Sequence, residues 1–197
     1  MKVKLLLNPF EKYTESQLLT VGSLAMLVGS VLAYVFGARF DGAIDVHFSE
    51  YVRIYQPFFD NLFNILCLSF ALWIAGKYIN DKTRMIDILV TVMVARVPFY
   101  FIPLFNINNF ISDITDSLLN NEAALRAGSF PDISMFDLAV LLVFAVISIA
   151  FFLWFVILLY SGFKTATNSK TATHKLYFAF AIVCAEIVTK IILVYSR

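Results

Sequence analysis

Between Asp137 and Lys164 no residue carries a charge. An apolar run of that length cannot be hidden inside a small soluble domain, and it exceeds the roughly 20 residues that a helix needs to cross a ~30 Å hydrocarbon core. The rest of the 197-residue chain agrees. It is 60% hydrophobic and only 15% charged, with a mean hydropathy of +0.82, where soluble domains sit near 45–50% apolar and about 25% charged. A disordered chain and a disulfide scaffold are excluded on the same grounds. The net charge of +1 lacks the basic bias that nucleic-acid binding needs.

Four further segments can span a bilayer, giving an all-α chain of five spans at about residues 18–36, 58–76, 85–105, 136–163 and 176–194 in one membrane domain. The second opens with Asp60, Asn61 and Asn64. The third contains Asp87, Arg96, Pro98 and Pro103, and the fifth contains Glu186 and Lys190. Only Leu5, Leu6 and Leu7 follow the early lysines before polar residues return, so a cleaved signal peptide is not expected.

Lys and Arg in the connections set orientation. Lys2, Lys4 and Lys12 precede span 1; Lys77, Lys82 and Arg84 join spans 2 and 3; Lys164, Lys170 and Lys175 join spans 4 and 5. The opposite side has Arg39, Arg53, Arg126 and Arg197. Nine against four predicts the N-terminus inside and the C-terminus outside.

The connections carry weaker signals. Asn8, Pro9 and Glu11 suggest a capped interfacial helix over 9–17. The first outer connection, 37–57, mixes aromatic residues with acids. The second suits an amphipathic helix over 112–126 resting on the outer surface, ended by Gly128 with Pro131 beyond; Ile111, Ile114, Leu118, Leu119 and Leu125 share one face. The inner loop repeats Lys-Thr-Ala-Thr at 164–167 and 170–173, which suits anionic headgroups.

Arg96 and Glu186 are the most informative residues. At 1.5 Å per residue each lies about 15 Å into its span, counted from the inner side. An unpaired charge at that depth costs several kcal/mol, so the two are expected to meet, directly or through a polar neighbour. Lys190 is expected to share the Glu186 carboxylate or to reach Asp60. These four residues form either a structural ion-pair network or a polar site between spans 2, 3 and 5. Pro98 and Pro103 predict a kink next to Arg96. Ala25, Gly29, Ala33 and Gly37 form a four-residue-spaced stripe for close helix packing, within the chain or with a second copy. No metal-ligand spacing, nucleophile elbow or phosphate loop occurs, and Cys67 and Cys184 read as small apolar residues. Neither catalysis, nor a metal, nor a cofactor is expected.

Leu-Leu-Asn-Pro-Phe at 6–10, the five-span layout and Ala-Arg-Val-Pro at 95–98 resemble the Yip family of Ypt/Rab-interacting membrane proteins. The resemblance implies a five-helix bundle and, for eukaryotic members, vesicle trafficking. Those members carry a long hydrophilic N-terminus and an Asp-Leu-Tyr-Gly-Pro segment. Both are absent here, so the chain looks more like the prokaryotic branch and a Rab-type GTPase is not expected as partner. The residues therefore read as a non-enzymatic membrane protein organising the lipid bilayer or other membrane proteins. The alternative is a small-solute transporter or channel subunit.

Overall fold

Thr14 starts the first long helix. Its Oγ accepts from the backbone N–H of Gln17, and the Gln17 side chain accepts from the Thr14 N–H, a reciprocal capping box. The helix α1 that follows covers Glu15–Val35 in a computed structural model of the chain, which describes residues 6–49, 51–126 and 134–195. Gly128 and Pro131 lie outside the described residues. Upstream of Thr14, the helix expected over 9–17 is replaced by a 3-10 turn, Pro9–Glu11. Asn8 spends its side chain on the Glu11 carboxylate at 2.8 Å and caps no backbone N–H, so the chain breaks before Thr14 opens a new helix.

Gly37 ends α1 in the left-handed region, at φ 64°, and turns the chain into a short hairpin. Strands β1, Ala38–Arg39, and β2, His47–Phe48, pair antiparallel with Ala38 opposite Phe48 and Arg39 opposite His47. Helix α2 runs Tyr55–Ile79 and α3 runs Met85–Ala95. At Arg96 the α-helix gives way to a 3-10 segment, Val97–Asn109, with Pro98 in its first turn and Pro103 inside it, and with its helical backbone broken at Asn106, Ile107 and Asn108. The kink expected at these prolines is thus a change of helix type, with Arg96 as the junction. Helix α4, Phe110–Arg126, begins two residues before the sequence expectation. The reason is Asn106, whose Oδ1 accepts from Ile111 N, Ser112 N and Ser112 Oγ at 3.0–3.1 Å. Helices α5, Met135–Thr167, and α6, Ala172–Tyr195, complete the chain.

Among the described residues, five stretches are long and apolar enough to cross a membrane: α1, α2, the stretch from Met85 to Leu119, α5 and α6. The third is central. Helix α3 packs against α1, α2 and α5, and the 3-10 segment packs on α1 and α5, while the main neighbour of α6 is α2. Gly22 and Gly29 allow α1 its close approach. A Cβ on Gly22 would sit 2.8 Å from Met93 Cβ, and one on Gly29 would sit 2.3 Å from the Tyr100 ring. The small-residue stripe therefore packs inside this chain. Ala33 is fully buried and Ala25 half-buried, whereas Gly37 leaves the stripe to form the turn.

Candidate functional site

The bend of the hairpin, residues 40–46, does not lie on an outer surface. It is inserted into the bundle among α2, α3 and α6. Phe40 and Ala43 are fully buried, and the carbonyl of Phe40 accepts from Asn64 Nδ2 at 2.7 Å. Irregular backbone at membrane depth is tolerated only where protein groups satisfy its N–H and C=O. Here they do: Ala43 N–H donates to Thr189 Oγ at 3.1 Å, and Ile44 N–H donates to Glu186 Oε2 at 2.9 Å.

Arg96 is the largest fully buried side chain. Its Nη1 donates to the carbonyl of Ala43 at 2.6 Å, and its Nη2 donates to Asn61 Oδ1 at 3.3 Å. The guanidinium carbon lies 5.6 Å from the Phe40 ring centroid and 5.8 Å from that of Phe99, so the cation has an aromatic face on the hairpin and another on the 3-10 segment. No N···O approach within 4.0 Å links Arg96 to Glu186. The carbonyl of Ala43 and the N–H of Ile44 belong to the same peptide unit. One peptide of the hairpin thus bridges the two charges, with its negative end on Arg96 and its positive end on Glu186. The tertiary layout explains this: α6 sits against α2, and the hairpin fills the space between α6 and α3.

The other predicted members also use the hairpin. Asp60, fully buried in the second turn of α2, takes a two-pronged contact from Arg39, with Nε and Nη2 each at 2.9 Å. Lys190 lies 3.7 Å from Glu186 Oε1 and 3.0 Å from Asp45 Oδ2. It shares the Glu186 carboxylate as expected, but its second partner is Asp45, while Asp60 belongs to Arg39. Arg39 also lies 3.9 Å from Asp41, whose other oxygen is 2.7 Å from His47 Nδ1. Burial holds the His47 imidazole below its usual value of 6.5, and Asp45 opposes that shift. Asn61 completes the set by donating to Ser30 Oγ on α1 at 2.9 Å.

The four residues picked from the sequence are therefore one layer of a larger cluster in which three cations, Arg39, Arg96 and Lys190, face four carboxylates, Asp41, Asp45, Asp60 and Glu186. The sequence reading missed Arg39, Asp41 and Asp45, because they sit in a connection, and the packing roles of Asn61 and Asn64. A signal for the asparagines exists: with Asp60 they fall at i, i+1 and i+4 on one face of an otherwise apolar helix. Gly42 has a site role of its own. A Cβ there would lie 2.5 Å from Glu186 Oε1, so a larger residue would push the carboxylate away from its contact with Ile44 N–H. Among the described residues no three His, Cys, Asp or Glu side chains group to hold a metal ion. The thiols Cys67 and Cys184 are free and half-buried. Comparison with family models, with curated proteins and with solved structures gives no match.

Proposed function

We propose that the chain is a non-catalytic integral membrane protein of the Yip type, which organises membrane or protein partners and passes no solute. The observation that carries this reading is the hairpin inside the polar site. A transport site needs space for a solute between spans 2, 3 and 5. That space is taken by residues 40–46, and every charged group there has a partner from the chain itself. Asp60, Arg96, Glu186 and Lys190 then serve as architecture, holding a re-entrant connection in a bundle whose outward faces are apolar.

We place the N-terminus in the cytoplasm and the C-terminus outside on the nine-to-four distribution of Lys and Arg, and the chain in a bacterial inner (cytoplasmic) membrane on its resemblance to the prokaryotic branch. In this orientation the hairpin enters from the outer face. The alternative, a small-solute transporter or channel subunit, uses the same cluster with the hairpin displaced, and it requires a conducting state. Flux of K⁺, protons and small anions through liposomes containing the purified chain separates the two. Wild-type vesicles are expected to leak no faster than empty ones. Flux above that background that disappears in Arg96→Gln would overturn the proposal. Orientation is checked by labelling Asn168→Cys, which is expected to react from the cytoplasmic side only.

A further inference from the structure

Helix α5 is longer than a bilayer is thick. Its 33 residues extend about 50 Å at 1.5 Å per residue, against a hydrocarbon core of ~30 Å. The N-terminal segment lies along its C-terminal half: Trp154 Nε1 donates to the Leu6 carbonyl at 3.0 Å, and the 3-10 turn Pro9–Glu11 packs on the same helix. Between segment and helix lies a cleft of about 590 Å³.

Beside Tyr160, the α5 wall of this cleft presents Ile157, Ser161, Lys164, Thr165 and Asn168. These positions fall at i, i+4, i+7, i+8 and i+11, a single stripe on one helix face. The stripe changes character along its length. Ile157, with Leu7 opposite, makes an apolar end open to the surroundings of the helix. Lys164 and Asn168 make a polar rim where the helix ends, Asn168 closing it in the left-handed conformation. Among the described residues neither Lys164 Nζ nor Ser161 Oγ has a protein partner. The Thr165 hydroxyl is already committed to the Ser161 carbonyl at 2.9 Å. Glu11, on the opposite wall, is fixed by Asn8.

An exposed apolar end, a rim with a free ammonium and a free hydroxyl, and a position on a helix longer than the bilayer match one ligand chemistry. We propose that this cleft binds a single glycerophospholipid from the leaflet on the Lys-rich side. Its acyl chain lies along Ile157 and Leu7, and its phosphodiester is held by Lys164 Nζ and Ser161 Oγ. The proposal needs only that the chain resides in a bilayer and does not depend on the non-transporting role.

The test is native mass spectrometry of the full chain released from detergent and titrated with dioleoyl phosphatidylglycerol. Dioleoylglycerol and inorganic phosphate supply the two halves of the ligand separately. One phospholipid is expected to stay bound to the wild type, with each half-ligand binding at least about tenfold more weakly. Lys164→Gln, an exposed position, should weaken binding about tenfold, the loss of one charge-assisted contact. Ile157→Trp, which crowds the apolar end, should weaken it by a similar factor. Lys175→Gln, a cation outside the cleft, should leave it unchanged. Equal affinity in wild type and Lys164→Gln would overturn the proposal. So would an equal loss in Lys175→Gln, which would mean general attraction to a basic surface, or displacement of the lipid by inorganic phosphate, which would mean a bare anion site.

Discussion

The connection after α1 and the connection before α5 have similar composition and opposite fates. Each mixes aromatic or branched residues with acids, and each reads as surface. The first enters the bundle as a hairpin; the second forms α4, in which Ile111 and Ile114 are buried among residues 110–119 and Asp113 and Asp116 are exposed. The difference lies in what each connection meets. Arg39, Asp41 and Asp45 of the first find Asp60, His47 and Lys190, and its backbone finds Asn64, Arg96, Glu186 and Thr189. Asp113 and Asp116 of the second make no ion pair among the described residues. Burying an unpaired polar group costs several kcal/mol where nothing replaces water, so a charged connection can be drawn inside only by a bundle that already carries its complement.

Removing that complement should give the largest effect. Arg96→Ala leaves the Ala43 carbonyl and Asn61 without their donor and the acid cluster short of a cation. It is expected to lower stability in detergent by about 3–5 kcal/mol, the range for breaking a buried charged contact, measured by thermal or denaturant unfolding. Gly42→Ala probes the fit of the hairpin without changing charge. The added methyl meets the Glu186 carboxylate and should cost about 1–3 kcal/mol, with faster hydrogen exchange across residues 38–48. Asn106→Ala is the counterpart for the second connection. It removes the acceptor of the first turn of α4 and the contact of Asn106 Nδ2 with the Phe36 carbonyl. A loss of about 1 kcal/mol is expected, with faster exchange confined to α4; exchange that spreads to the hairpin would show that the two connections are not independent.

The smallest effect is a pH dependence. Because burial lowers the His47 pKa, the unfolded chain binds more protons than the folded chain in the window below 6.5. Stability therefore rises with pH through that window and falls as pH drops towards the folded value. His47→Asn should flatten that slope in unfolding curves between pH 5 and 7 and leave stability at pH 8 nearly unchanged.

The five spans were legible because hydropathy reports membrane depth directly, most plainly in the uncharged stretch between Asp137 and Lys164. Pro98 likewise marked the interruption beside Arg96. The inserted hairpin was not legible. Arg39 counts as an outer cation in any side-by-side tally, and only the tertiary arrangement shows that Asp60 faces it and that Lys190 faces Asp45. The capping box at the start of α1 could have been found, since Thr14 and Gln17 stand directly before the apolar run. Asn8 and Glu11 offer the same spacing, but the turn from Lys12 to Thr14 separates them from the helix. The approach of Arg96 and Glu186 through a polar neighbour was readable; the peptide that provides it was not, because nothing local to either span encodes it.

That peptide is the central claim, and its polarity makes it testable. The carbonyl of Ala43 faces the cation and the N–H of Ile44 faces the anion. The measurement is the unfolding free energy in detergent of Arg96→Glu, Glu186→Arg and the double exchange. A direct ion pair would be re-formed by the exchange, which would then recover a large part of the loss. With an oriented peptide in between, the exchange puts a carboxylate on the Ala43 carbonyl and a guanidinium on the Ile44 N–H. The double variant is therefore expected to be no more stable than the weaker single. Recovery of more than about 1 kcal/mol, well beyond the scatter of additive sites, would contradict the bridge.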